Sequence, residues 1–165
     1  MNPRFVVTLL VATAISVGST PVARAQTFGN VQPIAVPPEG GSTGAFGLVS
    51  DIDGTTAVIG SPDETASGAL LAGAAYVMVR NGSGAWVPQQ RLSVGTADRH
   101  FGSAVAVSGD TIAVGSKPTS AFNTATVRVY VRSGTTWTLQ QEMGAHRTTS
   151  LRLKGDTLAV GDIDR

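Results

Sequence analysis

Along most of this chain apolar and polar residues alternate with a period of two, and the alternating runs are cut at short intervals by glycine-rich turns. Phe101–Ser116 holds two apolar runs around Gly109-Asp110 and predicts a tight antiparallel hairpin. Gly54 in Asp53–Gly60 and Gly155-Asp156 in Gly155–Gly161 stand in the same phase, so the hairpin occurs three times. A second hairpin follows each of the first two. Ala74–Arg80 sets Ala75, Val77 and Val79 against Tyr76, Met78 and Arg80, turns at Asn81-Gly82-Ser83-Gly84, and continues as Trp86–Leu92 with Trp86, Pro88, Gln90 and Leu92 on one face. Thr126–Arg132 sets Val127, Val129 and Val131 against Arg128, Tyr130 and Arg132. It turns at Ser133-Gly134 and continues as Trp137–Met143, with Trp137, Leu139, Gln141 and Met143 together.

The inner strands are expected at Phe46–Ser50 and Thr55–Gly60, with Asp51-Ile52-Asp53-Gly54 as their turn, and at Gly102–Ser108 and Thr111–Ser116. Pro88 marks an outer strand, because proline has no N–H for a central ladder. Phe46 and Phe101 are 55 residues apart and Trp86 and Trp137 are 51 apart, which is the period of a propeller blade. No stripe of helical period interrupts the pattern. The expected fold is therefore all-β, built of propeller-type four-stranded blades and incomplete, with about two and a half of them: 45–100, 101–146 and a partial third at 147–165. In the third, Arg147-Thr148 replaces the Phe-Gly pair, while Leu151, Leu153 and Thr157–Asp162 keep the register. Ala104, Ala106 and Ala113 are the small side chains expected to let blades approach one another near an axis.

The first 25 residues follow a different rule. Arg4, the apolar run Phe5–Val17 and Ala23-Arg24-Ala25 before Gln26 predict a secretory signal peptide, and hence a secreted, periplasmic or cell-surface protein. The run is shorter than the roughly 20 apolar residues of a membrane anchor, and no cysteine follows it to carry a lipid. Residues 26–44 are rich in Pro and Gly and read either as a linker or, since Gln32-Pro33-Ile34-Ala35-Val36 resembles Gln90-Arg91-Leu92-Ser93-Val94, as carrying at 31–36 the last strand of a preceding blade. Removing Arg4 and Arg24 from the 12 basic residues leaves ten against 11 acidic ones, a near-neutral balance with no basic stripe for nucleic acid. With no cysteine, disulfides and thiolate metal sites are excluded, and stability must come from packing and strand pairing.

Phe46-Gly47 and Phe101-Gly102, the Gly-Asp-Thr hairpins, Val-Gly-Ser and the Trp-x-x-Gln-Gln strands together resemble the bacterial FG-GAP repeat family, whose repeats are related to the blades of the integrin α-chain propeller. The resemblance covers about Ala45 to Asp162. It implies a β-propeller blade and a role in binding or adhesion. The family's Gly-Ala-Pro signature survives only as Gly60-Ser61-Pro62 and Gly115-Ser116-Lys117-Pro118. Integrin-type blades carry a calcium loop of the Asp-x-Asp-x-Asp-Gly kind, and only Asp51-x-Asp53-Gly54 matches it here. Asp51 and Asp53 are thus the calcium candidates, weighed against a role as turn formers; no other cofactor is expected.

Catalytic patterns are sparse. Gly40-x-Ser42-x-Gly44 fits a nucleophile elbow in spelling but lacks the strand before and the helix after it. His100 and His146 occupy equivalent repeat positions, and Asp98 stands near the first; a repeated loop position accounts for both. Asp110 and Asp156 suit turns, Trp86 and Trp137 suit packing between blades, and Asn81-Gly82-Ser83 spells a glycosylation site at a position where Asn-Gly already serves a turn. The loops 61–72 and 117–125 differ between the two full units and are the expected recognition surfaces, with Asp63, Glu64 and Lys117 as candidates. Arg80, Arg128 and Arg132, beside Tyr76 and Tyr130, are candidates for attracting acidic glycans or a protein partner.

The expected function is that of a non-catalytic exported binding or adhesion module. Its rivals are an accessory propeller fragment of a longer secreted hydrolase and a purely structural surface repeat. Because a ring needs about four to eight blades, three outcomes are expected as alternatives: self-association into a closed ring, an irregular sandwich with 31–36 filling an edge, and a piece of a longer gene product.

Overall fold

Three two-residue turns organise the fold. Gly54, Gly109 and Gly155 each take the first central position with φ of 57°, 55° and 57°, a left-handed conformation that glycine adopts without a Cβ clash and that matches strand twist in a hairpin. The computed structural model of the chain describes residues 7–9, 32–35, 37, 44–66, 68–96, 99–117, 124–145 and 148–162. Two compact units divide it, Met1–Ala35 and Val36–Arg165. In the first, β1 (Val7–Leu9) pairs antiparallel with β2 (Gln32–Ile34). A strand, Gln32–Ile34, thus forms within 31–36 and pairs with β1. The remainder of the predicted signal peptide and most of 26–44 lie outside the described residues.

The second unit is all-β in its described residues. Strands β3 (Ser50–Asp53), β4 (Thr56–Ser61), β5 (Ala74–Arg80) and β6 (Trp86–Ser93) form one antiparallel meander in that order. Strands β7 (Ala104–Ser108), β8 (Thr111–Gly115), β9 (Ala125–Ser133) and β10 (Thr136–Ala145) form a second, and β11 (Thr148–Lys154) pairs with β12 (Thr157–Asp162) as a hairpin. These are two four-stranded propeller-type blades and the inner half of a third, with no closed sheet among them. Pro88 lies on the edge strand β6, as its missing N–H requires.

Two expectations about the strands need correction. The inner strands start later than 46 and 102, because each Phe-Gly pair sits in a turn: Leu48 N–H donates to Ala45 and Ser103 N–H to His100. Asp51-Ile52-Asp53 is accordingly strand, and the turn is only Gly54-Thr55, with Asp53 opposite Thr56. The outer strands do not keep one parity. In the β5–β6 ladder Val77 pairs with Gln90 and Met78 with Pro88, leaving Gln89 as a bulge; in β9–β10 Gln140 is left over in the same way. One extra residue exchanges the two faces of everything beyond it. Gln90 and Leu92 therefore share a face with Val77 and Ala75, while Trp86 and Pro88 share the other with Arg80 and Met78.

Neighbouring blades touch through matched glycines. A Cβ on Gly60 would lie 2.0 Å from the carbonyl oxygen of Gly102, and one on Gly102 would lie 2.2 Å from that of Ala74. The next interface repeats the approach: a Cβ on Gly115 would meet the Thr148 methyl at 2.8 Å. Phe101-Gly102 and Ile59-Gly60-Ser61 are thus two sides of one close contact, and Val114-Gly115-Ser116 meets Thr148 in the corresponding place. Above it, Val58, Ala75, Val77 and Leu92 of the first blade pack on Phe101, Val105, Val107, Ile112, Tyr130 and Trp137 of the second. On the opposite face Ala104, Ala106 and Ala113 meet the third hairpin at Leu151, where their small size sets the spacing.

Candidate functional site

The loop between β4 and β5 is the largest connection described in the first blade, and buried polar bonds hold it at its root. Gly73 N–H donates to Glu64 O at 3.0 Å and closes the loop; Ala66 and Ala69 exchange backbone hydrogen bonds at 3.1 and 2.9 Å and shape its turn. Glu64 is 1% exposed. Its Oε2 accepts the Tyr76 hydroxyl at 2.7 Å, and its Oε1 accepts Arg91 Nε at 2.9 Å together with Arg91 Nη2. Burial, reinforced by the hydrogen bond and charge of Glu64, pushes the Tyr76 hydroxyl far above the ordinary tyrosine range. Burial works against the Arg91 cation, but bonding to Glu64 and Tyr76 holds its pKa above the usual arginine value.

At the rim of this loop the backbone is strained. Among the described residues, the non-glycine positions with left-handed φ are Ala45 (60°), Leu71 (51°) and His100 (46°). All three belong to one cluster. Gly44 O accepts Ser61 Oγ at 2.9 Å and Asp63 N–H at 3.1 Å; Leu71 O accepts the N–H groups of Arg99 and His100 at 3.0 and 2.9 Å; His100 Nδ1 lies 2.9 Å from Asp63 Oδ1. A left-handed non-glycine residue costs of order 1–3 kcal/mol, and such residues persist where the surroundings over-determine them. The tip that results shows Leu70 69% exposed and Leu71 39% exposed.

A family profile describing the FG-GAP repeat matches residues 86–131. The chain carries an FG-GAP repeat. The match runs from β6 of the first blade into β9 of the second, and so takes in Phe101-Gly102, the Gly109-Asp110 turn and the blade contact at Gly115. No curated protein and no solved structure matches the chain.

Within the blades most of the sequence-derived candidates are engaged in joining strands or blades. Asp51 Oδ2 accepts Val107 N–H at 2.9 Å and Asp53 Oδ2 accepts Gly109 N–H at 2.7 Å, both in the next blade. Ser108, which stands in the second blade where Asp53 stands in the first, accepts Gly155 N–H at 3.1 Å. Among the described residues no group of three or more His, Asp or Glu converges as a metal cage would require. Arg132 bonds Asp110 and reaches Thr56 across the interface at 3.2 Å, with its guanidinium 5.1 Å from the Trp137 ring. Arg128 pairs with Glu142 at 2.8 Å over the Phe101 ring, and Arg80 Nε donates to Gly84 O at 3.0 Å. Tyr130, on the same face, is pushed upward in pKa chiefly by burial.

Trp137 joins blades. Its Nε1 donates to Gln89 Oε1 at 2.8 Å and its N–H to Gln90 Oε1 at 2.7 Å, while Gln90 Nε2 donates back to Trp137 O at 2.9 Å. Asn81 Oδ1 accepts Ser83 N–H and Ala85 N–H, so it forms the β5–β6 turn. Lys117 is exposed and Asp63 is exposed beside His100. Asp98, His146, Gly40, Ser42 and most of 117–125 lie outside the described residues. Sequence reasoning did not find Arg91 or Tyr76 as the partners of Glu64, because 27 and 12 residues separate them from it and no local pattern links them.

Proposed function

We propose that this chain is an exported partner-binding module without a catalytic centre, and that the β4–β5 loop is its recognition surface. The observation that carries the reading is the loop itself: Leu70 and Leu71 are presented to solvent on a tip that Glu64, Tyr76 and Arg91 lock from beneath. Apolar side chains on a preorganised loop bind without a large ordering cost. The partner is a protein or glycan outside the cytoplasm, and export is read from residues 1–25. Asp51 and Asp53 serve in this reading as blade-joining acceptors, with no calcium requirement. A second surface, the groove between the second blade and β12, supports self-association.

The test starts with the full-length gene in a bacterial host. The protein is expected outside the cytoplasm with Gln26 at its N-terminus. It is then applied to immobilised extracellular-matrix proteins and glycans, beside a Leu70→Ser/Leu71→Ser variant. Binding to a discrete target, weakened about tenfold or more in the variant (~1.4 kcal/mol), is the expected result. Cytoplasmic retention, or equal binding by both proteins, overturns the reading.

A further inference from the structure

Three inner strands, one from each repeat, converge on an open depression of ≈ 330 Å³ whose lining includes Leu48, Ser50, Val105, Ser150, Leu151 and Arg152. The volume falls in the range of small-molecule sites. What the strands offer there follows from their registers. A two-residue turn makes its flanking residues a hydrogen-bonded pair: Asp53 with Thr56, Ser108 with Thr111, Lys154 with Thr157. Bonded and non-bonded positions then alternate back along each strand. The count leaves the N–H groups of Ser50, Val105 and Leu151 outside their ladders, at one equivalent position in the three repeats. Val107 checks the parity, since the same count puts its N–H outside the ladder and Asp51 takes it there.

Toward the turns, the edge N–H groups of Val107, Gly109 and Gly155 are capped by Asp51, Asp53 and Ser108, unlike those of Ser50, Val105 and Leu151. Toward the depression no side-chain acceptor among the described residues takes them. Arg152 stands at the same place, exposed, with its Nη1 on Leu151 O at 3.1 Å and no carboxylate paired to it among the described residues. The nearest acidic groups on these strands, Asp51 and Asp53, are already bonded to Val107 and Gly109.

We propose that this depression is a binding site for a compact oxyanion, a carboxylate, sulfate or phosphate group carried by a small molecule or an acidic saccharide. Edge N–H groups of Ser50, Val105 and Leu151 donate to it, Ser150 adds a hydroxyl, and Arg152 supplies the charge. Outward-facing main-chain N–H groups at a sheet edge form anion-binding concavities, and a guanidinium strengthens the bonds through its charge. The site is separate from the β4–β5 loop and does not depend on it.

The experiment is a titration of the ¹⁵N-labelled full chain with sodium sulfate, sodium phosphate and sodium glucuronate, with ionic strength held constant by sodium chloride. The amide resonances of Ser50, Val105 and Leu151 are expected to shift together and saturate with at least one of the three anions. Arg152→Gln weakens the fitted affinity about tenfold and Ser150→Ala a few-fold, with the rest of the spectrum unchanged. A tighter response to glucuronate assigns a carboxylate ligand, and a tighter response to sulfate or phosphate assigns an ester of those acids; either supports the site. The proposal is overturned if the three amides stay still with all the anions, if chloride alone reproduces the shifts, or if Arg152→Gln leaves the curves unchanged. The Leu70→Ser/Leu71→Ser variant keeps the response, which separates this site from the recognition loop.

Discussion

A carboxylate that is 1% exposed is tolerated only when its oxygens are satisfied, and Glu64 has the Tyr76 hydroxyl and two Arg91 nitrogens on them. The arrangement makes Tyr76 hold its proton to higher pH in the folded chain than in the unfolded one, where tyrosine titrates near pH 10. Between the two values the unfolded chain has lost a proton that the folded chain keeps. Stability from this group is therefore full below about pH 10 and declines as pH rises toward the folded value, and Tyr130 acts in the same direction. Urea midpoints should be flat from about pH 7 to 9 and lower at pH 11. Tyr76→Phe should lower the midpoint at neutral pH, through loss of the Glu64 bond, and make the alkaline fall shallower; equal slopes for both proteins would count against the assignment. Nothing in the neighbouring pair Asp63-Glu64 distinguishes an exposed acid from a buried one. Loop position was legible from Pro62 and the glycines that follow. Burial was not, because it depends on strands far along the chain.

At the scale of elements, the bulge at Gln89 is what turns two strands into a joint. It rotates the chain so that both Gln89 and Gln90 reach Trp137 of the next blade. Removing Gln89 leaves the Trp137 Nε1–H buried without an acceptor, a loss of about 1–3 kcal/mol. Gln140 stands at the equivalent bulge of the second blade but is exposed, with no tryptophan described against it. Gln89→Ala should therefore destabilise the chain by about 1–3 kcal/mol in urea unfolding, while Gln140→Ala should stay within about 0.5 kcal/mol. Comparable losses for the two would show that the clamp is not the source. The strands and the outer place of Pro88 were readable from alternation and turn residues. Neither bulge was, because an extra residue in an apolar-polar run looks like continuing alternation until its partner strand is known.

At the scale of the molecule, the described residues of the second unit form two blades and the inner half of a third. On the first blade, Val77 and Gln90 lie under Tyr130 and Trp137. On the second, the matching residues Val129 and Gln141 border a groove of ≈ 440 Å³ that runs to Leu158 and Val160 of β12, with Val160 38% exposed. An apolar groove beside a sheet edge favours pairing with another chain. The average mass from light scattering should rise with concentration for the full chain, and Val160→Lys should suppress the rise while leaving the circular dichroism unchanged. A mass independent of concentration in the parent chain would exclude association through this face.

By itself the sequence determined the all-β class, the repeat and its period, the order of strands within each blade, and the three glycine turns. These depend on local quantities: the two-residue alternation of a strand, the φ that only glycine adopts freely, and the missing N–H of proline. Tertiary structure alone decided which faces meet, that Asp51 and Asp53 bond the next blade, that Glu64 is buried, that the arginines lie against rings and carboxylates, and that three repeats gather unladdered N–H groups around one depression. Each of these is a contact between residues dozens of positions apart, set by register, and one bulged residue is enough to send a side chain to the opposite face.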